Sequence, residues 1–314
     1  MNFFPSIKIT NGNLKARPTA MIGFLCLFIF SFGSKSKSQA NNNLRSNFYA
    51  ITGNGIKDTS WLFGTYHLVR SSYLNEVPAV NEAFRNASGV VVEMVMDTAK
   101  APAAIAMGML QKGTLSDLLQ SAFVDSLDNE LKTTLGAGIA QLNQFKPMNV
   151  MLTLSIIYLM QGNNIRLQQF TGPFLDGYFA EEGKFANKNI TPLEDIEDQM
   201  NLLFNTTSNE EQAKQLQYFL RNKTAMIEQG NALLGNWFEH DLDKMHAVSQ
   251  KSLHLFGSTE LYLKNRNDKW MKSIPDLMSK ESQFIAVGAL HLTASEGLIN
   301  QLKEMGYTLT PIKL

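Results

Sequence analysis

Residues 48–52 and 61–65 are short runs of β-forming side chains. They flank Gly53-Asn54-Gly55-Ile56-Lys57-Asp58, a turn signal, and together predict a hairpin. Residues 76–87 follow a helical period, with Val77, Val80, Ala83 and Phe84 on one face. Val90-Val91-Val92-Glu93-Met94-Val95 is an apolar run broken by one carboxylate, the pattern of a buried parallel strand. From about 101 to 267 the period is helical. Helices are expected over 115–121, 124–135, 149–160, 174–182, 194–204, a long 209–234 and 236–249. Residues 261–278 continue the pattern with a break at Pro275. Strand character returns at Phe284-Ile285-Ala286-Val287, before a helix over 294–305 and a last strand over 308–312. Strands at both ends around a helical middle predict an α/β fold. Its central mixed or parallel sheet comes from the N- and C-terminal parts, and a large helical insertion spans about 101–267.

The first forty residues stand apart. Lys8, Lys15 and Arg17 precede an apolar run over 21–32, and no acidic residue occurs in 1–40. A run of about a dozen residues is short for a membrane span, which needs roughly 20. It suits the apolar core of a signal peptide, and Ser38-Gln39-Ala40 supplies small residues for cleavage. The expectation is an exported protein, secreted or periplasmic, with a domain over 41–314 and membrane contact only through an uncleaved leader.

Composition narrows the chemistry. The 314-residue chain balances 28 basic against 28 acidic residues, so it has no global electrostatic reason to bind nucleic acid. Cleavage removes five basic residues and no acidic one, leaving a net charge of −5. The single cysteine, Cys26, allows no internal disulfide, CxxC motif or cysteine-based zinc site. Any metal must be held by histidine and carboxylate.

One local duplication carries candidate chemistry. Leu62-Phe63-Gly64-Thr65-Tyr66-His67-Leu68 and Ala286-Val287-Gly288-Ala289-Leu290-His291-Leu292 both read as strand, then Gly-x-x-His-Leu. In open α/β sheets functional groups gather where strands end. A glycine three residues before each histidine permits a sharp turn or a close approach. Glu93 in its apolar run needs a partner or a cation. Two imidazoles and a carboxylate form a common ligand set for a divalent metal. The plainer alternative is two structural histidines, with Glu93 paired to Arg266. Glu239, Asp243 and His246 share one helical face and read as solvated, while His240 and His254 have no supporting spacing. There is no HExxH, GxSxG, P-loop or GxGxxG motif.

Together these residues resemble the TraB/GumN family, which includes the Tiki-type metalloproteases. The likeness runs from the hairpin and Gly64-Thr65-Tyr66-His67-Leu68 through Val90-Val91-Val92-Glu93 with Asp97, and Leu175-Asp176. It continues through Leu193-Glu194 with Gln199, Arg266-Asn267 with Trp270, and Val287-Gly288-Ala289-Leu290-His291-Leu292 with Gly297. The family's closing motif usually reads Gly-Ala-Gly-His-Leu-x-Gly, whereas this chain has Leu290 and Ala294 at the later glycines. The resemblance implies a fold similar to the erythromycin-esterase and ChaN-like group, and a metal-dependent hydrolase of the peptidase kind acting on a peptide or small-molecule substrate. It implies His67, His291 and Glu93 as ligands of a divalent metal cation, Glu93 alternatively as general base, and Arg266 as the basic partner that stabilises an oxyanion. Two other readings stay open: a metal-independent hydrolase using His67 and Glu93, and a non-catalytic protein that binds a peptide, iron or haem.

Overall fold

The computed structural model describes residues 45–162, 165–252 and 260–314; the leader expected over 1–40, with Cys26, and His254 lie outside them. The chain forms two compact units, one made of residues 97–162 and 196–227 and the other of the remaining described residues.

The first unit is helical. Helix Pro147–Gln161 is apolar on every side and is accordingly buried through most of its length. Around it lie Ser121–Leu135, Ile196–Asn205 and Asn209–Arg221, with Leu127, Leu131, Met151, Leu154 and Leu216 fully buried. Tyr158 stacks on Phe219 at 6.0 Å between ring centroids.

The second unit holds a six-stranded mixed sheet: β1 (Phe48–Gly53), β2 (Ser60–Thr65), β3 (Gly89–Val92), β4 (Asn189–Pro192), β5 (Gln283–Gly288) and β6 (Tyr307–Pro311), in the order β4-β3-β5-β2-β1-β6. β1 pairs antiparallel with β2, as the hairpin signal predicts, and with β6. β2, β5, β3 and β4 run parallel, so their C-terminal ends lie along one edge of the sheet. Strands β3 and β5 are buried throughout, which is why their apolar residues run consecutively, and the strand expected over 90–95 ends at Val92, so that Glu93 follows it. Helices Pro78–Asn86 and Leu175–Phe185 pack on the sheet through aromatic rings. Phe179 lies 4.8 Å and Phe84 5.4 Å from Phe284.

Several boundaries differ from the pattern. β4 lies inside the stretch expected to be wholly helical. The long 209–234 helix is two, Asn209–Arg221 and Lys223–Phe238. The expected break at Pro275 falls instead at residues 271–273, because Pro275 sits in the first turn of helix Ile274–Lys280, where its missing N–H costs nothing.

Candidate functional site

Four parallel strands deliver the site at their C-terminal ends. His67 lies two residues past β2, Glu93 directly follows β3, Glu194 lies two residues past β4, and His291 sits on a 3-10 turn, Ala289–Leu292, that continues β5. The Glu194 backbone N–H donates to the Glu93 carbonyl at 2.9 Å, which ties these two ends together. Helix Leu175–Phe185 adds Asp176 in its first turn, and helix Asn265–Trp270 adds Arg266, Asn267 and Trp270.

The glycines of the repeated motif serve close approach. A Cβ on Gly64 would meet the Ala289 Cα at 2.9 Å, so β2 and the turn after β5 pack backbone to backbone. A Cβ on Gly288 would lie 3.1 Å from Glu93 Oε1, 3.6 Å from His67 Nε2 and 3.7 Å from His291 Cδ2. Three residues drawn from distant parts of the sequence therefore converge on one point.

His67 is held by Asp176, whose Oδ2 is 2.7 Å from Nδ1. An ionised carboxylate only accepts, so Nδ1 carries the hydrogen and Nε2, the basic nitrogen, faces the point of convergence. Thr65 Oγ1 donates to the other Asp176 oxygen at 2.5 Å and fixes the carboxylate. The His67 side chain retains 16% exposure, against 10% for Glu93 and 5% for His291, so His67 is the most open of the three to solvent.

Glu93 is buried. Burial by itself pushes its pKa up and is the largest single influence, but the guanidinium of Arg266, the two imidazoles and the Gly288 N–H, which donates to Oε1 at 2.6 Å, together outweigh it. The carboxyl is brought down to about 2 and is ionised at neutral pH. His291 is the opposite case. Burial, with Arg266 next to it, holds its pKa well below the usual imidazole value, so it is neutral. Its Nδ1 donates to Asn267 Oδ1 at 2.7 Å, while the Asn267 amide nitrogen donates to the carbonyls of His291 and Glu296 and so fixes the amide's orientation. The Nε2 lone pair faces Arg266 Nη1 at 2.9 Å.

Arg266 is buried with all five N–H groups directed at protein acceptors. Nε donates to Glu194, Nη1 to His291 and, at 3.4 Å, to the Tyr262 carbonyl, and Nη2 to Glu93 at 2.7 Å and to Glu194 at 2.8 Å. Trp270 covers the cluster: its indole N–H donates to Glu194 at 3.0 Å, and its ring lies 4.8 Å from the guanidinium and 4.2 Å from His291. The oxyanion role expected of Arg266 would need a free N–H, and none of the five faces the point of convergence.

The expected metal set fits this geometry only in part. His67 Nε2 and Glu93 Oε1 are aimed at a common point, but both nitrogens of His291 are engaged, one by an amide oxygen and the other by a cation. Among the described residues no group of three or more His, Cys, Asp or Glu is arranged to hold a metal.

The remaining candidates fall elsewhere. Glu239 and Asp243 are exposed, as a solvated face predicts, whereas His246 is half-buried with Gln250 and Thr293 within reach of its ring nitrogens. His240 takes a positive φ of 56° and lies 3.1 Å from the Asn47 side chain. Ala294 has φ 66°, a left-handed backbone that favours glycine and explains why the related motif carries one there.

Asp176 and Glu194 were not among the site residues expected from pattern, and only the family-like pairs Leu175-Asp176 and Leu193-Glu194 marked them. No curated protein and no solved structure matches the chain. The family model described as TraB/PrgY/gumN family matches residues 47–311, which spans the sheet from β1 to β6 together with every residue of the site. The chain therefore belongs to the TraB/PrgY/gumN family.

Proposed function

We propose that the chain is an exported hydrolase in which His67, oriented by Asp176, is the general base for attack of water on an ester or amide carbonyl. Peptide bonds are the first substrate class to assay. The supporting observation is the convergence of His67 Nε2 and Glu93 Oε1 on one point at the strand ends. A water at that point donates one hydrogen to each. His67 takes a proton as the water oxygen bonds to the carbonyl carbon and the carbonyl electron pair moves onto its oxygen. Collapse of the tetrahedral intermediate breaks the C–O or C–N bond, and the proton on His67 passes to the leaving group.

Glu93, ionised down to about pH 2, is far too weak a base to share that role at neutral pH. It acts as a fixed anion. The positive charge that His67 gains is offset by Asp176 on one side and Glu93 on the other. Arg266, Glu194 and Trp270 keep Glu93 in place and are positioning residues.

Assay of residues 41–314 on ester and peptide substrates tests this. Equal turnover before and after exhaustive chelation is the expected result. Turnover lost on chelation and restored by a divalent cation favours the metal-dependent alternative, and ligand binding without turnover favours a binding protein.

Gly288→Ala gives a second test. The backbone there has φ −54°, which alanine adopts readily, and the added Cβ, 3.1 Å from Glu93 Oε1, requires that carboxylate to give by a few tenths of an ångström. The added methyl occupies the point where the water is held. Turnover should fall about 100-fold, the scale of misplacing reacting groups by about 1 Å, with a smaller drop in thermal midpoint than Glu93→Gln shows. Wild-type turnover in Gly288→Ala would remove the water from that position.

A further inference from the structure

We infer that Arg266 is the resident cation of this site, and that its hydrogen bonds to Glu93, Glu194 and His291 close that histidine to a divalent metal. Besides the Tyr262 carbonyl at 3.4 Å, the acceptors around the guanidinium are two carboxylates and one imidazole nitrogen, all of them metal-ligating types, at 2.7–3.0 Å. Guanidinium stays charged when buried: burial alone loosens its proton, but Glu93 and Glu194 beside it more than offset this. A metal that recruits His291 must break the Nη1 to Nε2 hydrogen bond. It must also place two positive charges beside a third inside a poorly screened interior. His291 is thereby closed to metal in the wild-type protein and opened by loss of Arg266.

Metal occupancy is measured apart from turnover, so failure here and failure of the hydrolase proposal are distinguishable. Co(II) is titrated into the full chain, into His291→Ala, and into Arg266→Ala with and without His291→Ala, followed by calorimetry and visible absorption. Wild type and His291→Ala should give the same isotherm, because His291 is not a ligand. Arg266→Ala should bind one equivalent at least 100-fold more tightly than wild type, lose that binding when His291→Ala is added, and release cobalt as guanidinium is added. Cobalt should also raise the thermal midpoint of Arg266→Ala, since a ligand that binds only the folded state stabilises it. One equivalent bound by wild type and lost in His291→Ala would overturn the inference, as would Arg266→Ala binding no tighter than wild type. If Arg266→Ala does not fold even with cobalt, the wild-type and His291→Ala isotherms decide alone: identical curves uphold the inference and different curves reject it.

Discussion

His67→Ala should lower kcat by about 10³-fold, within the 10²–10⁴ range of a lost general base, while unfolding close to the wild-type temperature. The two effects separate because the side chain lies past the end of β2 and is partly exposed, and its hydrogen bond to Asp176 orients the imidazole at the strand end. Asp176→Asn is the companion test. Asparagine can offer Nδ1 either a carbonyl or an amide N–H, so the tautomer with a basic Nε2 is no longer enforced. Its kcat should fall while KM holds, because Asp176 lies behind the imidazole. Steady-state kinetics and thermal unfolding on both variants check this. Near-wild-type kcat in His67→Ala would end its role as base, and a loss of kcat that tracks loss of folded protein would make His67 structural.

The parts of the fold that were legible are those in which one physical signal dominates. β3 and β5 are buried on both faces, so Val90-Val91-Val92 and Phe284-Ile285-Ala286-Val287 read as apolar, and the structure places both strands in one sheet with β2. The duplicated Gly-x-x-His-Leu was legible because each glycine answers a real steric demand, backbone against backbone at Gly64 and side chains against backbone at Gly288. β4 was not. It has four residues, two of them asparagine and proline, and sits at the sheet edge with exposed ends, so burial left no mark on its pattern. Without β4, nothing placed Glu194 beside the other strand ends. Asp176 was hidden for a different reason: a carboxylate in a helix's first turn is already explained by the helix dipole. Arg266 was expected as a partner of Glu93 and is one. Its saturation by two carboxylates, an imidazole and a carbonyl is a tertiary fact that no local pattern encodes.

Glu93→Gln should produce the largest loss of stability. In the wild type the folded-state pKa is depressed from 4.5 to about 2. The stability this gives is fully present above about 4.5 and is lost as pH falls through that window toward 2, where the folded carboxylate takes up its proton. The shift corresponds to about 3 kcal/mol, in line with breaking a buried ion pair. Glutamine keeps an acceptor for Gly288 but leaves Arg266 with one carboxylate in place of two. Denaturant unfolding should therefore show Glu93→Gln about 3 kcal/mol less stable than wild type at pH 7, with the two curves converging near pH 2. Equal stability at pH 7 would mean that Glu194 alone suffices to balance Arg266. Turnover measured well below both midpoints then isolates the chemistry. With every molecule folded, loss of the anion facing His67 should still slow the reaction about tenfold, equivalent to roughly 1.4 kcal/mol of lost stabilisation of the imidazolium. Turnover that falls only as folding does would confine Glu93 to balancing the buried guanidinium.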